Sequence, residues 1–280
     1  MKNYQILIIG GGTAGITVAA QFKNKDSSLK MAIIEPSEKH FYQPAWTLVG
    51  AGTFDYKDTI RDEADYIPKG VDWIKDKATG INPETNSVST EKSGDFTYDY
   101  LVLAPGLVMA PELLPGLAEA MDKGVVCSNY TNSEHTWEVL QNFKGGNAVF
   151  TQAATPIKCG GAPQKILYLC EASFRKNGVR DKTNLKFFAA TPIIFPPNDE
   201  FSETLTKICL SKNIEPYYKH SLTSIDKDNR VATFTNANGD LIKQEFDFLH
   251  FVPPQSSPDF VATSKLAHET GWLDVDIGTL

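Results

Sequence analysis

The sequence predicts an α/β fold made of two Rossmann-like, doubly wound units, and three observations carry that expectation. A glycine turn, Gly10-Gly-Gly-Thr-Ala-Gly15, joins a short apolar run to a helical stretch near the start. A second alternation of apolar runs and helical stretches extends from Ser133 to Val252. The chain has 280 residues, 41% of them hydrophobic and 22% charged, which suffices for two ordinary globular cores.

Gln5–Ile9 is apolar and ends in glycine, the pattern of a buried parallel strand. Ala14–Asn24 follows as a helix, and Lys30–Ile34 as a second strand closed by Glu35-Pro36. This βαβ start implies a right-handed crossover and a doubly wound sheet. Asp72–Lys77, Ser87–Glu91 and Asp95–Tyr98 read as short antiparallel strands, with Asn82-Pro83 and Ser93-Gly94 supplying turns. Tyr100–Leu103 reads as a buried strand that stops at Ala104-Pro105-Gly106, and Pro111 to Gly116 as a linker. Beyond it, helices at Ser133–Phe143, Pro163–Lys176 and Glu203–Ser211 alternate with strands at Ala148–Thr151, Leu185–Ala189 and Ile214–Tyr218. Arg230–Thr235 and Leu241–Phe246 flank Asn238-Gly239, a hairpin signal. Phe248–Val252 is a last apolar strand, ended by Pro253-Pro254. The expected domains are 1–110, then 111–247, with 248–280 returning to the first.

Composition narrows the function. Lys and Arg number 27 against 34 Asp and Glu, a net charge of −7, which disfavours nucleic acid as a partner. No run approaches the roughly 18 apolar residues of a membrane span, and no signal peptide is expected. Four cysteines in a chain of this length do not make a secreted disulfide framework.

Gly10, Gly12 and Gly15 fit G-x-G-x-x-G between strand and helix. The first glycine permits the tight turn, the second lets backbone approach a pyrophosphate, and the third lets helix pack on strand. The N-terminus of the helix, at Thr13 and Ala14, then offers unpaired N–H groups and the positive end of its dipole. Glu35, at the end of the second strand, is placed to accept hydrogen bonds from both ribose hydroxyls. The motif alone leaves FAD and NAD open.

Cys159, in Thr155-Pro-Ile-Lys-Cys-Gly-Gly-Ala-Pro-Gln-Lys165, follows a strand and precedes a helix opened by Pro163. The helix dipole, Lys158 and Lys165 would favour its thiolate, and Gly160-Gly161 leaves room for a substrate or a flavin ring. Cys170, on the same predicted helix, lies too far along it to pair with Cys159. Cys170 and Cys209 read as core fillers, and Cys127 as structural. His40 reads as a surface histidine, with a proton-transfer role as the alternative. The remaining histidines are scattered without ligand spacing, so no metal is assigned.

Four stretches resemble sulfide:quinone oxidoreductase, in its mitochondrial-type branch. They are His40–Gly52, Val126–Tyr130, Pro156–Leu169 and Gly271–Asp276. The resemblance implies the fold of the flavin disulfide reductases, with two FAD/NAD(P)-binding domains and FAD held noncovalently. It implies that sulfide attacks a cysteine disulfide or trisulfide, with a persulfide formed and the electrons passing through FAD to a quinone. The sulfane sulfur then leaves on glutathione, sulfite or cyanide. Cys159 matches the first redox cysteine. The second lies beyond Trp272, after a Gly-Asp pair, and the chain stops before it, so a C-terminal truncation is expected. The missing part includes an amphipathic membrane-docking segment. The full-length form is thus expected at a membrane surface, on the cytoplasmic side or the mitochondrial inner membrane, and a homo-oligomer is possible. Candidate catalytic residues are Cys159 and Lys165. Candidate cofactor-binding residues are Gly10, Gly12, Thr13, Ala14, Gly15, Glu35, Gln43, Ala104, Pro105 and Gly106. Phe41, Tyr42, Pro44 and Trp46 offer either a quinone pocket or a packed loop. Two alternatives stand beside this reading, a type II NADH dehydrogenase-like flavoprotein and a truncated FAD-binding protein without turnover. An NADH user should carry a second G-x-G-x-x-G after Ala148–Thr151, and this chain has Gln152-Ala-Ala-Thr-Pro-Ile-Lys-Cys159 there.

Overall fold

The computed structural model describes residues 1–276, 278 and 279. The chain forms two compact units. Unit 1 comprises residues 1–42, 60–108 and 256–280, and unit 2 residues 43–59 and 109–255.

Unit 1 is built on a six-stranded sheet. β1 (Lys2–Ile9) leads through the glycine turn into α1 (Thr13–Lys25) and returns as β2 (Met31–Ile34). The sheet order is β5 (Val71–Ile74), β2, β1, β8 (Asp95–Leu103), β7 (Ser87–Thr90), β6 (Ala78–Asn82). The first four strands are parallel, and β6–β7–β8 form an antiparallel meander. Ile6 and Ile8 share a cluster with Ala19 of α1, while Leu7 and Ile9 pack with Val88 and Phe96. Burial on both sides explains the unbroken apolar run of β1. β3 (Lys39–Phe41) and β4 (Ile60–Asp62) form a small antiparallel ribbon, and the short α7 (Asp259–Ala262) completes the unit.

Three sequence expectations change here. The strand expected at Asp72–Lys77 as antiparallel is the parallel edge strand β5, paired with β2 from Met31–Val71 to Ile34–Ile74. Its half-buried pattern comes from its place at the sheet edge. The strands expected at Asp95–Tyr98 and Tyr100–Leu103 are one strand, β8, antiparallel to β7 in its first half and parallel to β1 along its length. β6 escaped notice because Ala-Thr-Gly-Ile-Asn lacks strand-forming residues apart from threonine and isoleucine.

Unit 2 has a four-stranded parallel sheet in the order β12 (Ile214–Tyr218), β11 (Thr183–Ala189), β10 (Gly146–Gln152), β16 (Phe248–His250). One face packs against α4 (Ser133–Asn142), α5 (Ala162–Lys176) and α6 (Asp199–Ser211), with Phe150, Ile166, Cys170, Phe174 and Cys209 in its cluster. The other face is covered by α3 (Leu117–Asp122) and the meander β13 (Ser221–Asp226), β14 (Val231–Thr235), β15 (Leu241–Glu245). There Phe188 stacks on Phe234 with ring centroids 4.0 Å apart. The β14–β15 hairpin turns where Asn238-Gly239 predicts, with Gly239 at φ +87°. The stretch expected as a linker, Pro111 to Gly116, is instead packed. Leu114 is buried with Leu117 of α3 against the sheet. The two-residue strands β9 (Val108–Met109) and β17 (Gln255–Ser256) lie where the chain leaves and re-enters unit 1. α2 (Trp46–Gly50) lies in the segment 43–59 that belongs to unit 2.

Candidate functional site

In unit 1 the carboxyl ends of β2, β1 and β8 lie side by side, and the chain passes from β1 to β2 on one side and reaches β8 on the other. Open α/β sheets bind ligands at such a divergence. Gly10 follows β1 at φ +102°, and a Cβ there would lie 2.0 Å from the Ala104 carbonyl oxygen. The Ala104 N–H donates to the Ile9 carbonyl at 2.8 Å, so the Ala104-Pro105-Gly106 turn is laced to the glycine turn. A Cβ on Gly15 would meet the Gly10 carbonyl oxygen at 1.9 Å, which is why α1 can approach β1 so closely. Gly12 differs, because nothing lies within 4 Å of where its Cβ would stand. It caps α1, whose first residues Thr13 and Ala14 are exposed and whose first turn carries no acidic side chain. An anion therefore has an open route to the helix N-terminus.

Glu35 is anchored by two backbone donors. The Gly11 N–H reaches Oε2 at 2.8 Å and the Ser37 N–H reaches Oε1 at 2.7 Å. Beside it stands Glu63, a residue the sequence did not single out. Glu63 is 1% exposed, and its Oε2 meets His40 Nδ1 at 3.2 Å. Its Oε1 has no partner. Burial raises the Glu63 pKa, the His40 charge opposes this, and the Glu35 charge adds to it. His40 is correspondingly not a surface histidine. It is held between Glu63 and the Tyr66 ring, stacked at 5.3 Å.

The thiol belongs to unit 2. α5 begins at Ala162 with Pro163 in its first turn, so Cys159 sits in the turn before the helix and not on it. The Cys159 carbonyl accepts from the Ala162 N–H at 3.1 Å and from the Tyr130 hydroxyl at 2.9 Å. The Lys158 N–H donates to Gln255 Oε1 at 2.8 Å. These bonds fix the loop from both sides while Cys159 stays exposed. The other three cysteines are buried, and burial pushes Cys127 up to about 12 and also raises Cys170 and Cys209. Thiols so placed are poor nucleophiles.

Lys158, not Lys165, is the structured cation of this loop. Its ammonium bonds Gln43 Oε1 and lies 5.0 Å from the Trp46 ring centroid and 5.8 Å from that of Tyr130. Desolvation by those neighbours lowers its pKa, and a negative charge on Cys159 opposes the shift. Lys165 is exposed on α5. Gln43, expected at the cofactor, is placed in unit 2 as the partner of Lys158. Trp46 lines a cleft with Tyr56, Thr131, Asn132, Ser133 and Glu134, a mostly polar wall unlike the apolar one expected for a quinone ring.

A family profile, pyridine nucleotide-disulphide oxidoreductase, matches residues 4–249. The mitochondrial sulfide:quinone oxidoreductase of Mus musculus is 41% identical over 283 aligned residues, covering 100% of this chain and 63% of that protein. That of Dictyostelium discoideum is 43% identical over 289 residues, with the same coverage. The chain thus spans 63% of the length of these relatives. Among solved structures, the sulfide:quinone oxidoreductase of Aquifex aeolicus superposes with a TM-score of 0.81 at 24% identity, covering 96% of this chain and 63% of that one.

Proposed function

The chain belongs to the pyridine nucleotide-disulphide oxidoreductase family, and from that premise we propose that it oxidises sulfide at Cys159 and passes the electrons through FAD to a quinone. The observation that carries this reading is the Cys159 loop. The turn after β10 is where a second nucleotide fingerprint would lie. It holds instead an exposed thiol beside Lys158, at the start of α5. The identity to the two mitochondrial relatives supports the same reading.

The unit 1 residues fit FAD. Gly12 leaves open space where a pyrophosphate approaches the α1 N-terminus, and Glu35 is held by two N–H groups with lone pairs left for ribose hydroxyls. Thr13, Ala14, Gly15, Ala104, Pro105 and Gly106 frame the same turn. FAD supplies a two-electron acceptor that a quinone can reoxidise.

In this reading hydrosulfide attacks a disulfide that includes Cys159. One S–S bond breaks, one sulfur becomes a persulfide and the other leaves as thiolate. The resemblance places the second thiol, with the Gly-Asp pair that precedes it in the family, beyond these 280 residues. Lys158 supplies a positive charge beside the attacking and leaving sulfur anions, and Lys165 a second on α5. The Tyr130 and Gln255 bonds hold the loop while the sulfur changes partners. A small nucleophile, such as glutathione, sulfite or cyanide, takes the sulfane sulfur. Because quinones dissolve in lipid, the reading places the working protein at a membrane surface, on the cytoplasmic side or at the mitochondrial inner membrane. Among the described residues no helix is long and apolar enough to cross one.

Sulfide added without oxygen to the FAD-loaded, full-length protein tests the proposal. The flavin absorbance should bleach, and Cys159→Ser should abolish bleaching while leaving FAD bound, because a hydroxyl forms no persulfide. Near-normal bleaching in Cys159→Ser would sink the assignment. Rapid bleaching by NADH would favour the dehydrogenase alternative.

A further inference from the structure

Glu63 has no role in the reading above, yet it is a buried carboxyl beside the glycine turn. A Cβ built on Gly11 would stand 2.5 Å from Glu63 Oε1 and 2.7 Å from Glu35 Cγ. The two carboxyl side chains therefore flank the same point of the turn, one on each strand-end segment. Glu35 has both oxygens engaged by backbone N–H groups. Glu63 has its Oε1 unpartnered at 1% exposure. A buried oxygen without a partner is costly in an anion and much less so when it carries a proton to donate. Two ionisable groups act on Glu63 directly, Glu35 from the end of β2 and His40 from β3. Its own backbone N–H is spent on the Glu38 carbonyl.

We propose that Glu63 is a second carboxyl of the adenosine half-site, protonated when the dinucleotide is bound, so that binding is coupled to uptake of one proton. This rests on the FAD reading given above. The reasoning is electrostatic. The pyrophosphate dianion would arrive at Gly12 and the α1 N-terminus, next to a buried carboxyl already facing the Glu35 charge. Ionised Glu63 repels that dianion, and protonated Glu63 does not. The protonated Oε1 can donate to a neighbouring oxygen, whether of Glu35 or of the ribose, and fill its vacant hydrogen bond. By linkage, affinity for FAD then falls as pH rises through the Glu63 titration.

The test is FAD binding to flavin-stripped protein, followed by flavin fluorescence across pH. The dissociation constant should weaken with rising pH by up to about tenfold per unit, the slope for one linked proton. Glu63→Gln, which keeps a donor and never ionises, should bind FAD with a flat profile. His40→Gln should keep the slope. Calorimetry of the unaltered protein in buffers of different ionisation enthalpy should count close to one proton taken up per FAD, and this needs no variant to fold. A slope that survives in Glu63→Gln, a slope lost in His40→Gln, or zero proton uptake overturns the proposal while leaving FAD binding intact. Failure to bind FAD at any pH would instead remove the reading on which it rests.

Discussion

Gly12 and Gly15 sit three positions apart and ask different things of the chain. At Gly15 a methyl group would lie 1.9 Å from the Gly10 carbonyl oxygen, which is backbone and cannot swing away. Gly15→Ala should therefore destabilise unit 1 by about 3 kcal/mol or more, in the range of severe overpacking. At Gly12 there is nothing to strike. Gly12→Ala should melt within a degree or two of the parent yet bind FAD at least about tenfold more weakly, because in the proposed site the methyl would occupy the pyrophosphate approach. Thermal melts beside a fluorescence titration separate the two, and equal FAD affinity in Gly12→Ala would contradict the placement. At this scale the sequence was readable where packing demands one residue type at one spacing, as at Gly10 and Gly15, whose missing side chains make room for backbone oxygens. Glu63 was not, since its significance arises only when β4 and the 3-10 turn after it carry it beside Gly11. Cys159 stood out from its neighbours, but the setting of Lys158 between the rings of Trp46 and Tyr130 did not, because those rings come from distant stretches.

The elements most clearly legible were those with one strong pattern. β1, α1 and β2 carry an apolar run, a glycine turn and a second apolar run, and helix α5 announces itself by Pro163 and an amphipathic face. Edge strands were misjudged because β5 and β6 are half-solvated, so periodicity in them is weak. α5 also contains a tie that no local pattern reveals. Glu171 is fully buried, and Arg175, Arg180 (Nε at 3.5 Å) and Lys212 (Nζ at 3.0 Å) converge on its carboxylate. Arg180 in turn donates to the carbonyls of Thr183, Lys212 and Asn213. The cluster fastens the end of α5 to the start of β11 and the end of α6. Glu171→Leu would leave the buried Arg180 without its counter-ion, and the expected loss is about 3–5 kcal/mol, read as a lowered urea midpoint. Lys212→Met, whose partner keeps two cations, should lose much less. A small effect of Glu171→Leu would show the cluster to be ornamental.

Across the molecule, the two units hold buried ionisable groups with opposite responses to pH. His250 in unit 2 is fully buried, stacked on Phe150, and its Nε2 accepts from the Asn129 N–H at 3.1 Å. Burial pushes its pKa from 6.5 down to about 3. The unfolded chain thus binds a proton that the folded chain refuses, so stability is present above pH 6.5 and drains away as pH falls toward 3. Glu63 in unit 1 acts in reverse. Its raised pKa makes its contribution complete below the ordinary value of 4.5, and it is lost as pH rises through the folded-state value. Urea unfolding of His250→Gln, in which the amide oxygen can still accept from Asn129, should show a shallower decline toward acid than the parent. Parallel declines in the two proteins would remove His250 from the account.

The excursion of residues 43–59 has a consequence for how the chain is made. The segment leaves unit 1 after Tyr42, joins unit 2 through α2, and returns at Ile60. Its buried Thr47, Val49 and Ala51 are sheltered with help from α4 and α5, and Ala51 sits in the same cluster as Ile166 and Phe174. A ribosome adding about 5–20 residues per second delivers α5 roughly 6–25 s after α2. The unit 1 sheet has all its strands by Leu103, well before that. During the interval the α2 segment is a tethered loop whose docking surface does not yet exist, open to chaperones or to wrong partners. Refolding from denaturant skips this interval, because every segment is present from the first moment. Yield from translation and yield from refolding should therefore diverge as synthesis is slowed, and the divergence should trace to the earliest-made piece of unit 2.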